Sequence, residues 1–257
     1  MFNLFQAEFK RIWKEFIRYP IDSISGIFVT SLFFYGMFFG AHYIAGPNIQ
    51  FGDRLDTILA GYVLWTLVVF ILQGIAMELQ VEAQTGTLEQ IFLSPFGTLN
   101  VLLIRAMANL TLYLVLIVGI LLLTMILTGR YLHFSPLALL PLITVLLGAY
   151  GISLMMAGLT LLFKRIQQLS GLIQFALLFL LALPIETWNG SLQGVRLVLP
   201  MTVGSGVLRD LIARDRGLDF SLLALAGLNG VVYFVLGILL FLWAQRIAKR
   251  HAMLNGY

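Results

Sequence analysis

The side chains of this sequence that could do chemistry concentrate in one polar segment, residues 78–98, which separates two long apolar runs. The segment carries Glu78, Glu82 and Glu89, and no lysine or arginine follows until Arg105. Three carboxylates without a neighbouring base can bind a basic partner surface, or they can simply be solvated. A solvated helix in a loop is the simpler interpretation, and a docking site is the more specific one.

Local signals within this segment predict a short helix. Gly86 breaks the helix before it, and Thr87 with Gln90 three residues later predicts a capping box. Ser94 and Pro95 end the short helix and predict the start of the next one, with the serine as cap and the proline in the first turn. In a membrane protein, a polar segment of this kind must lie outside the hydrocarbon.

The sequence lacks the residues for several kinds of catalysis. None of its four lysines follows a glycine, so a Walker A loop is excluded, and ATP with its Mg²⁺ would have to bind another chain. The three histidines are isolated near the ends of apolar runs, and the chain contains no cysteine. We therefore predict no catalytic residues and no metal site.

Composition places the chain in a membrane. Of its 257 residues, 60% are hydrophobic and 11% are charged, whereas a soluble domain averages about 25% charged residues. The basic residues lie between the apolar runs, which is typical of membrane topology and does not call for nucleic acid as a partner. None of the twelve acids lies in the middle of a run, which argues against a proton-driven carrier.

Six apolar runs are long enough, or nearly so, to cross a bilayer, which requires about 17–25 residues. They cover residues 23–45, 58–77, 101–127, 137–163, 169–185 and 220–244. With both termini inside, ten lysines and arginines lie on the inner side and six on the outer side, which fits the positive-inside rule. The sequence therefore predicts an all-α polytopic membrane protein with six transmembrane helices, one domain over residues 1–257, and cytoplasmic termini.

Residues 2–19 predict an amphipathic helix that lies on the membrane. The residues of its apolar stripe recur at steps of three and four, and those of its basic face recur at steps of four. The stripe consists of Phe2, Phe5, Phe9, Ile12 and Phe16, and the basic face of Lys10, Lys14 and Arg18. Contact with anionic lipid head groups is the favoured interpretation, and packing against a soluble partner is the alternative.

The connection at 186–219 mixes apolar and polar residues around Pro200. Two short helices that return into the outer leaflet would explain the mixture, because irregular backbone survives there only when protein or water covers it. An ordinary external loop with amphipathic helices is the alternative.

In the first span, Gly36 and Gly40 form a small-residue motif that favours a dimer interface. Uncharged polar residues within spans are interpreted as helix–helix hydrogen-bonding groups. These are Gln73, Asn109, Gln174 and Asn229.

The polar segment resembles the conserved cytosolic segment of the ABC-2 family of transporter permeases. The shared pattern is E-x-x-x-G-T-L-E-Q-(I/L)-x-x-(S/T)-P after the second span. Glu82, Gly86, Thr87, Leu88, Glu89 and Pro95 fall on it. In that family the segment forms a coupling helix that docks on the ATPase subunit. The resemblance therefore implies a docking site made of Glu82, Thr85, Gly86, Thr87, Leu88, Glu89, Gln90, Ile91 and Pro95.

The resemblance extends over the whole chain. Residues 2–19 correspond to the family's cytosolic elbow helix, and residues 186–219 to a re-entrant helical hairpin before the last span. Leu199 departs from the asparagine that often precedes the proline of this hairpin in the family. The candidate residues of the hairpin are Glu186, Pro200 and Arg209.

The ABC-2 family moves drugs, lipids, glycolipids and polysaccharides outward. The resemblance implies the transmembrane subunit of an ATP-driven exporter in the plasma (inner) membrane, with a second copy or a homologue and two ATPase subunits as partners. The small external connections favour a hydrophobic or amphipathic substrate, and polysaccharide export is the alternative. A passive channel and a membrane-embedded lipid-modifying enzyme are the alternatives from other classes. The enzyme would use Glu186, Arg196, Arg209, Asp210, Arg214 and Asp215.

Overall fold

The computed structural model of the chain describes residues 1–45, 52–129, 135–163, 166–182, 192–214 and 216–250. These residues form ten α-helices, with one 3₁₀ turn at Pro136–Ala138 and no strand among them. The helices are α1 (Phe2–Arg18), α2 (Pro20–Ala45), α3 (Gly52–Gln84), α4 (Leu88–Phe92), α5 (Thr98–Thr128), α6 (Leu139–Phe163), α7 (Gln167–Ala182), α8 (Leu192–Val198), α9 (Thr202–Ile212) and α10 (Phe220–Arg250). Glu186, the surroundings of Gly40, and the side chains of Leu88 and Glu89 lie outside the described part.

Four helical stretches in the described part are long and apolar enough to cross a bilayer. They are Thr57–Gln84, Thr98–Thr128, Pro136–Phe163 and Phe220–Arg250. Shorter apolar stretches lie in α2, at Ile24–Gly36, and in α7, at Gln167–Ala182. The prediction of an all-helical protein is thus confirmed for the described residues, and four of its helical stretches are long and apolar enough to cross a membrane.

The centre of the bundle is α6, which packs against α3 on one side and α10 on the other. The contact between α6 and α10 brings the two backbones together. A Cβ atom on Gly151 would lie 2.3 Å from the Tyr233 carbonyl oxygen, and one on Gly237 would lie 2.2 Å from the Gly151 carbonyl oxygen. Only glycine permits this approach, as in the small-residue contacts of membrane helices.

The bundle has two distinct ends, which we name after the short helices they carry. At the α4 end, the Gln245 amide of α10 donates to Thr98 Oγ1 at the start of α5 at 3.0 Å, and α1 packs against α5. At the α9 end, Arg209 Nη2 donates to the Leu181 carbonyl oxygen of α7 at 2.8 Å. Both α1 and the last turns of α10 therefore lie at the α4 end.

Side chains at the corner between α8 and α9 satisfy the carbonyl groups that end α8. Thr202 Oγ1 donates to the Arg196 and Leu199 carbonyl oxygens. From α10, Asn229 Nδ2 donates to the Leu197 and Leu199 carbonyl oxygens at 2.9 and 3.2 Å. Tyr233 Oη donates to the Val198 carbonyl oxygen at 2.8 Å. The four carbonyl groups of residues 196–199 at this corner are thus all paired with side chains of Thr202, Asn229 and Tyr233.

The chain turns at this corner through Met201, whose φ of 61° lies in the left-handed region. Asn229 supports the turn as well, because its Oδ1 accepts a hydrogen bond from the Met201 amide at 3.2 Å. Almost all of α9 is buried against α6 and α10. The sequence prediction of two short helices separated at Pro200 is confirmed, and their packing makes α9 part of the core.

Replacing Asn229 by leucine should destabilise the protein by about 1–2 kcal/mol, because an interhelical hydrogen-bonding side chain is lost from the α8–α9 corner. The two side chains have the same number of heavy atoms and the same branching, so the main change is the loss of the polar groups. Thermal unfolding of the purified protein in detergent measures the effect. Leu228→Ala is the matched control, since this neighbour is largely exposed and should leave the midpoint almost unchanged. Equal midpoints for the two variants would contradict the role of Asn229.

Outside the spans, Asp219 caps α10. Its Oδ1 accepts from the Ser221 hydroxyl at 2.6 Å and from the Ser221 and Leu222 amides at 2.9 and 3.3 Å. The hydroxyl of Ser221, followed by these amides, holds the pKa of the Asp219 carboxyl below its usual value. The carboxylate therefore remains charged at the helix N-terminus, where the dipole stabilises it.

Candidate functional site

The polar segment begins where α3 ends, at Gly86. This residue has a φ of +73°, and the Thr87 amide donates to the Glu82 carbonyl oxygen at 3.0 Å. A left-handed glycine with this backbone bond is a Schellman motif, which terminates a helix. The predicted helix break at Gly86 is confirmed.

The predicted capping box at Thr87 and Gln90 is wrong. The Thr87 hydroxyl donates backwards to the Glu82 carboxylate and contacts the Thr85 hydroxyl at 2.9 Å. The Gln90 amide donates to the Thr87 carbonyl oxygen at 3.0 Å. Hydrogen bonds to a charged group are stronger than those between neutral groups, and the side chain of Thr87 is oriented towards the Glu82 carboxylate.

The predicted helix start at Ser94 and Pro95 is also wrong. These residues form a tight turn in which the Gly97 amide donates to the Ser94 carbonyl oxygen at 3.1 Å. Serine, proline and glycine at the first, second and fourth positions are typical of a type I turn. The following helix, α5, begins at Thr98 after Gly97, whose φ is +79°.

A charge cluster fixes the root of the polar segment. Arg105 Nη1 lies 2.8 Å from Glu82 Oε1, and Arg105 Nε lies 3.1 Å from Glu8 Oε1. The three side chains are 17%, 22% and 11% exposed, so water screens them only in part. Arg11, which is half exposed, lies 2.8 Å from Glu8 Oε2. We call Glu8, Glu82 and Arg105 the charge cluster.

The charge cluster joins three elements that are distant in sequence. Glu8 belongs to α1, Arg105 to α5 and Glu82 to the last turns of α3, where it also holds Thr87. Sequence reasoning identified Glu82 and missed Glu8. Glu8 is one of two acids in α1, and nothing in its local sequence indicates a partner 97 residues away.

The predicted amphipathic helix at 2–19 is confirmed as α1, and the structure shows what its stripe contacts. Ile12 is buried, Phe5, Phe9 and Phe16 are half-buried, and Lys10, Lys14 and Arg18 are exposed. Trp13 Nε1 donates to Thr111 Oγ1 of α5 at 3.3 Å. Part of the stripe therefore packs on the bundle, and the basic face remains outside.

The helix α4 is held by apolar contacts and presents a mixed surface. Ile91 is 6% exposed and joins α4 to the bundle. Phe92 is half-buried, with the Lys249 ammonium 5.0 Å from its ring centre. Leu93, by contrast, is 83% exposed. We call the exposed residues of this segment the α4 surface. They are Thr85, Gly86, Gln90, Leu93, Pro95 and Phe96.

Other predicted site residues are placed apart from α4. Gly36 is exposed, and a Cβ added to it would meet no atom within 4 Å, so this face of α2 is uncovered in the single chain. Pro200 and Arg209 lie at the α9 end. Arg209 is fully buried, whereas Asp210 next to it is paired with Arg214 at 2.6 Å. The polar face postulated for an enzyme therefore does not include Arg209.

An apolar cavity of about 450 Å³ lies between α3, α5, α6 and α9. Ser135 is the one polar residue among the described residues that line it. Within the described ranges, no three histidine, cysteine or acidic residues are grouped so that they could hold a metal ion. The described residues that line the cavity are otherwise apolar, so it offers space for hydrocarbon.

Comparison with family models, curated proteins and solved structures finds no match to the chain. The class of protein therefore rests on the fold itself. An all-helical bundle with four long apolar helices is compatible with a multi-pass protein embedded in a membrane. Its distinctive feature is the polar α4 segment, anchored by the charge cluster at one end of the bundle.

Proposed function

We propose that the chain is the transmembrane subunit of an ATP-driven exporter of the ABC-2 permease type. The main support for the proposal is the α4 surface. It lies on the short helix α4, and contacts among Glu82, Thr87 and Arg105 fix the end of α3 that precedes it. The structure of this segment agrees with a coupling helix in two respects. It leaves the bundle at one end, and it combines exposed polar side chains with the exposed apolar side chain of Leu93.

The proposed topology has six spans and places both termini in the cytoplasm, in a plasma (inner) membrane. The two further spans are α2 and α7, which are apolar helices of 26 and 16 residues. The position of α1 and the end of α10 at the same end of the bundle supports an even number of crossings. The basic residues of α1 and the last turns of α10 would then face the cytoplasm.

The proposed mechanism is a two-state change driven from the α4 end. ATP and Mg²⁺ bind to two partner ATPase subunits, and closure of these subunits moves α4. Because the charge cluster joins the root of α4 to α1 and α5, such a movement would reach the first three spans together. A second copy of the chain, or a homologue, completes the pathway, with the uncovered face of α2 at Gly36 towards it.

The proposed substrate is hydrophobic or amphipathic, such as a drug, a lipid or a glycolipid. Within the described residues, the connection before α10 at the α9 end contains only the short helices α8 and α9, which are too small to form a receptor for a long glycan. Export of a polysaccharide remains the second candidate within the same family.

Glu89→Arg and Gly86→Val should each abolish co-purification of the ATPase subunit. Reversing the charge at position 89 loses a helix-dipole contribution of about 0.3–1 kcal/mol and places like charges across the proposed interface. Valine at position 86 resists the left-handed backbone, at a cost of about 1–3 kcal/mol. The measurement is the amount of ATPase retained by each variant at equal expression, followed by substrate-stimulated ATP hydrolysis.

Gly227→Val is the control, because no atom lies within 4 Å of a Cβ placed there and the position is remote from α4. The chain without ATPase should show no ATP hydrolysis. If both α4 variants retain full association with the ATPase and full substrate stimulation of ATP hydrolysis, the segment is not a coupling helix and the proposal loses its basis.

A further inference from the structure

Two rows of uncharged polar side chains face each other between α3 and α7. On α3 the row repeats at intervals of seven and four residues, and on α7 at intervals of three and four, so each row occupies one helix face. The α3 row is Gln73, Gln80 and Gln84, and the α7 row is Gln167, Ser170 and Gln174. We call the space between them the amide groove. It extends about 16 Å along α3, since a helix rises about 1.5 Å per residue.

The groove is an open space lined by these side chains. Its inner part, of about 190 Å³, reaches Gln73 and Gln174, and its outer part, of about 830 Å³, reaches Gln84. The two parts meet at Gln80 and Gln167. The inner volume is well above the roughly 10–15 Å³ that one water needs, so both parts can hold water.

The groove ends in the middle of the bundle. Gln73 Nε2 donates to Gln174 Oε1 at 3.2 Å, and Gln174 Nε2 donates to Ser170 Oγ at 3.0 Å. Beyond Gln174, every residue of α7 as far as Ala182 is apolar. On the α3 side, Trp65 Nε1 donates to the Gln174 carbonyl oxygen at 2.9 Å. The amide groove therefore ends at Gln174 and opens towards the α4 end, and the exposed residues Gln73 and Gly171 also open it to the outer side of the bundle.

Most of the amides in the groove have no partner among the residues that the structure describes. Among the described residues, Gln80, Gln84 and Gln167 form no side-chain hydrogen bond, and Gln73 and Gln174 use only part of their capacity. An amide has two donor hydrogens and an oxygen with two lone pairs. Unpaired amides are strongly unfavourable in hydrocarbon, so in a spanning helix they must meet water, a ligand or another protein surface.

We propose that the amide groove is a water-filled half-channel that binds the neutral, hydroxyl-rich head group of a glycolipid. Amides both donate and accept, which matches sugar hydroxyls, and none of the described residues that line the groove is charged. Met77, Phe163 and Leu169 border the groove and provide apolar contact for the acyl chains. The assignment of this glycolipid as the exported substrate rests on the proposed function, in which the α4 end faces the cytoplasm.

The water-filled groove is tested by single-cysteine labelling, because the native chain has no cysteine. Ser170→Cys is nearly isosteric and lies in the groove, whereas Leu172→Cys lies on the exposed face of the same helix at similar depth. A charged, membrane-impermeant thiosulfonate should modify Ser170→Cys at least about tenfold faster than Leu172→Cys, since only a hydrated thiol forms the reactive thiolate. Gln90→Cys marks the α4 side of the membrane. Equal rates at positions 170 and 172, or access from the side opposite to position 90, would overturn the half-channel.

The head-group assignment is tested in nanodiscs by protection of Ser170→Cys. Monoglucosyl diacylglycerol should slow modification at least about threefold, whereas diacylglycerol and phosphatidylglycerol with the same acyl chains should not. Gln80→Leu should remove the protection, and Gln80→Asn should retain part of it. Protection by phosphatidylglycerol, or by none of the three lipids, would overturn the glycolipid assignment. These experiments need no ATPase, so their outcome is independent of the co-purification test of the proposed function.

Discussion

Gly151→Val should prevent the protein from reaching its folded state in the membrane. The Cβ of any residue at this position would lie 2.3 Å from the Tyr233 carbonyl oxygen of α10. The obstacle is backbone, which cannot rotate away as a side chain can. Overpacking of a core costs about 1–3 kcal/mol when side chains can adjust, and here the two central helices must separate. We therefore expect the free energy of unfolding to fall by more than that range, which is already a large fraction of the stability of a typical protein.

The measurement is the yield of monodisperse protein in size-exclusion chromatography after expression as a fluorescent fusion. Gly227→Val is again the matched control, because it carries the same change on α10 where no atom lies within 4 Å. Gly237→Ala should also reduce the yield, since its Cβ would lie 2.2 Å from the Gly151 carbonyl oxygen. A normal yield and thermal midpoint for Gly151→Val would show that α6 and α10 do not make backbone contact.

Arg105→Ala should destabilise the chain by about 3–5 kcal/mol, because it leaves two largely buried carboxylates without their common cation. Removal of the cation should also release Glu82 and with it Thr87, so the root of α4 becomes mobile. Unfolding in detergent measures the first effect. Protease cleavage within residues 85–97 measures the second, and it should be faster than in the native chain.

Arg11→Ala is the control, because it also removes a positive charge beside Glu8 but at an exposed position. Arg11 contacts Glu8 as well but is 51% exposed, and such a pair contributes about 0–1 kcal/mol. A second variant separates the loss of pairing from the loss of the arginine itself. Arg105→Met combined with Glu8→Gln and Glu82→Gln leaves no unpaired charge, and it should recover much of the stability lost in Arg105→Ala. If Arg105→Ala is no less stable than Arg11→Ala, the charge cluster does not hold the root of α4.

Local patterns in the sequence are sufficient to predict the helices and much of their chemistry. Long apolar runs, an amphipathic pattern at 2–19 and a glycine at position 86 act over one or a few helical turns, so composition and spacing suffice to predict their effect. The break at Gly86, the helix α1 and the pair of short helices around Pro200 were all predictable in this way.

Which side chains come into contact depends on the tertiary structure. Glu8 and Arg105 are separated by 97 residues, and Gln73 and Gln174 by 101, so no local pattern pairs them. Once Arg105 holds Glu82, the Thr87 hydroxyl turns back to that carboxylate, which is why the capping box inferred from spacing does not form. The amide groove arises in the same way. Each glutamine by itself indicates only a hydrogen-bonding side chain in a span, and the packing of α7 against α3 brings them together in one polar space. Hydrogen bonds and ion pairs depend on distance in space, and only the folded chain sets that distance.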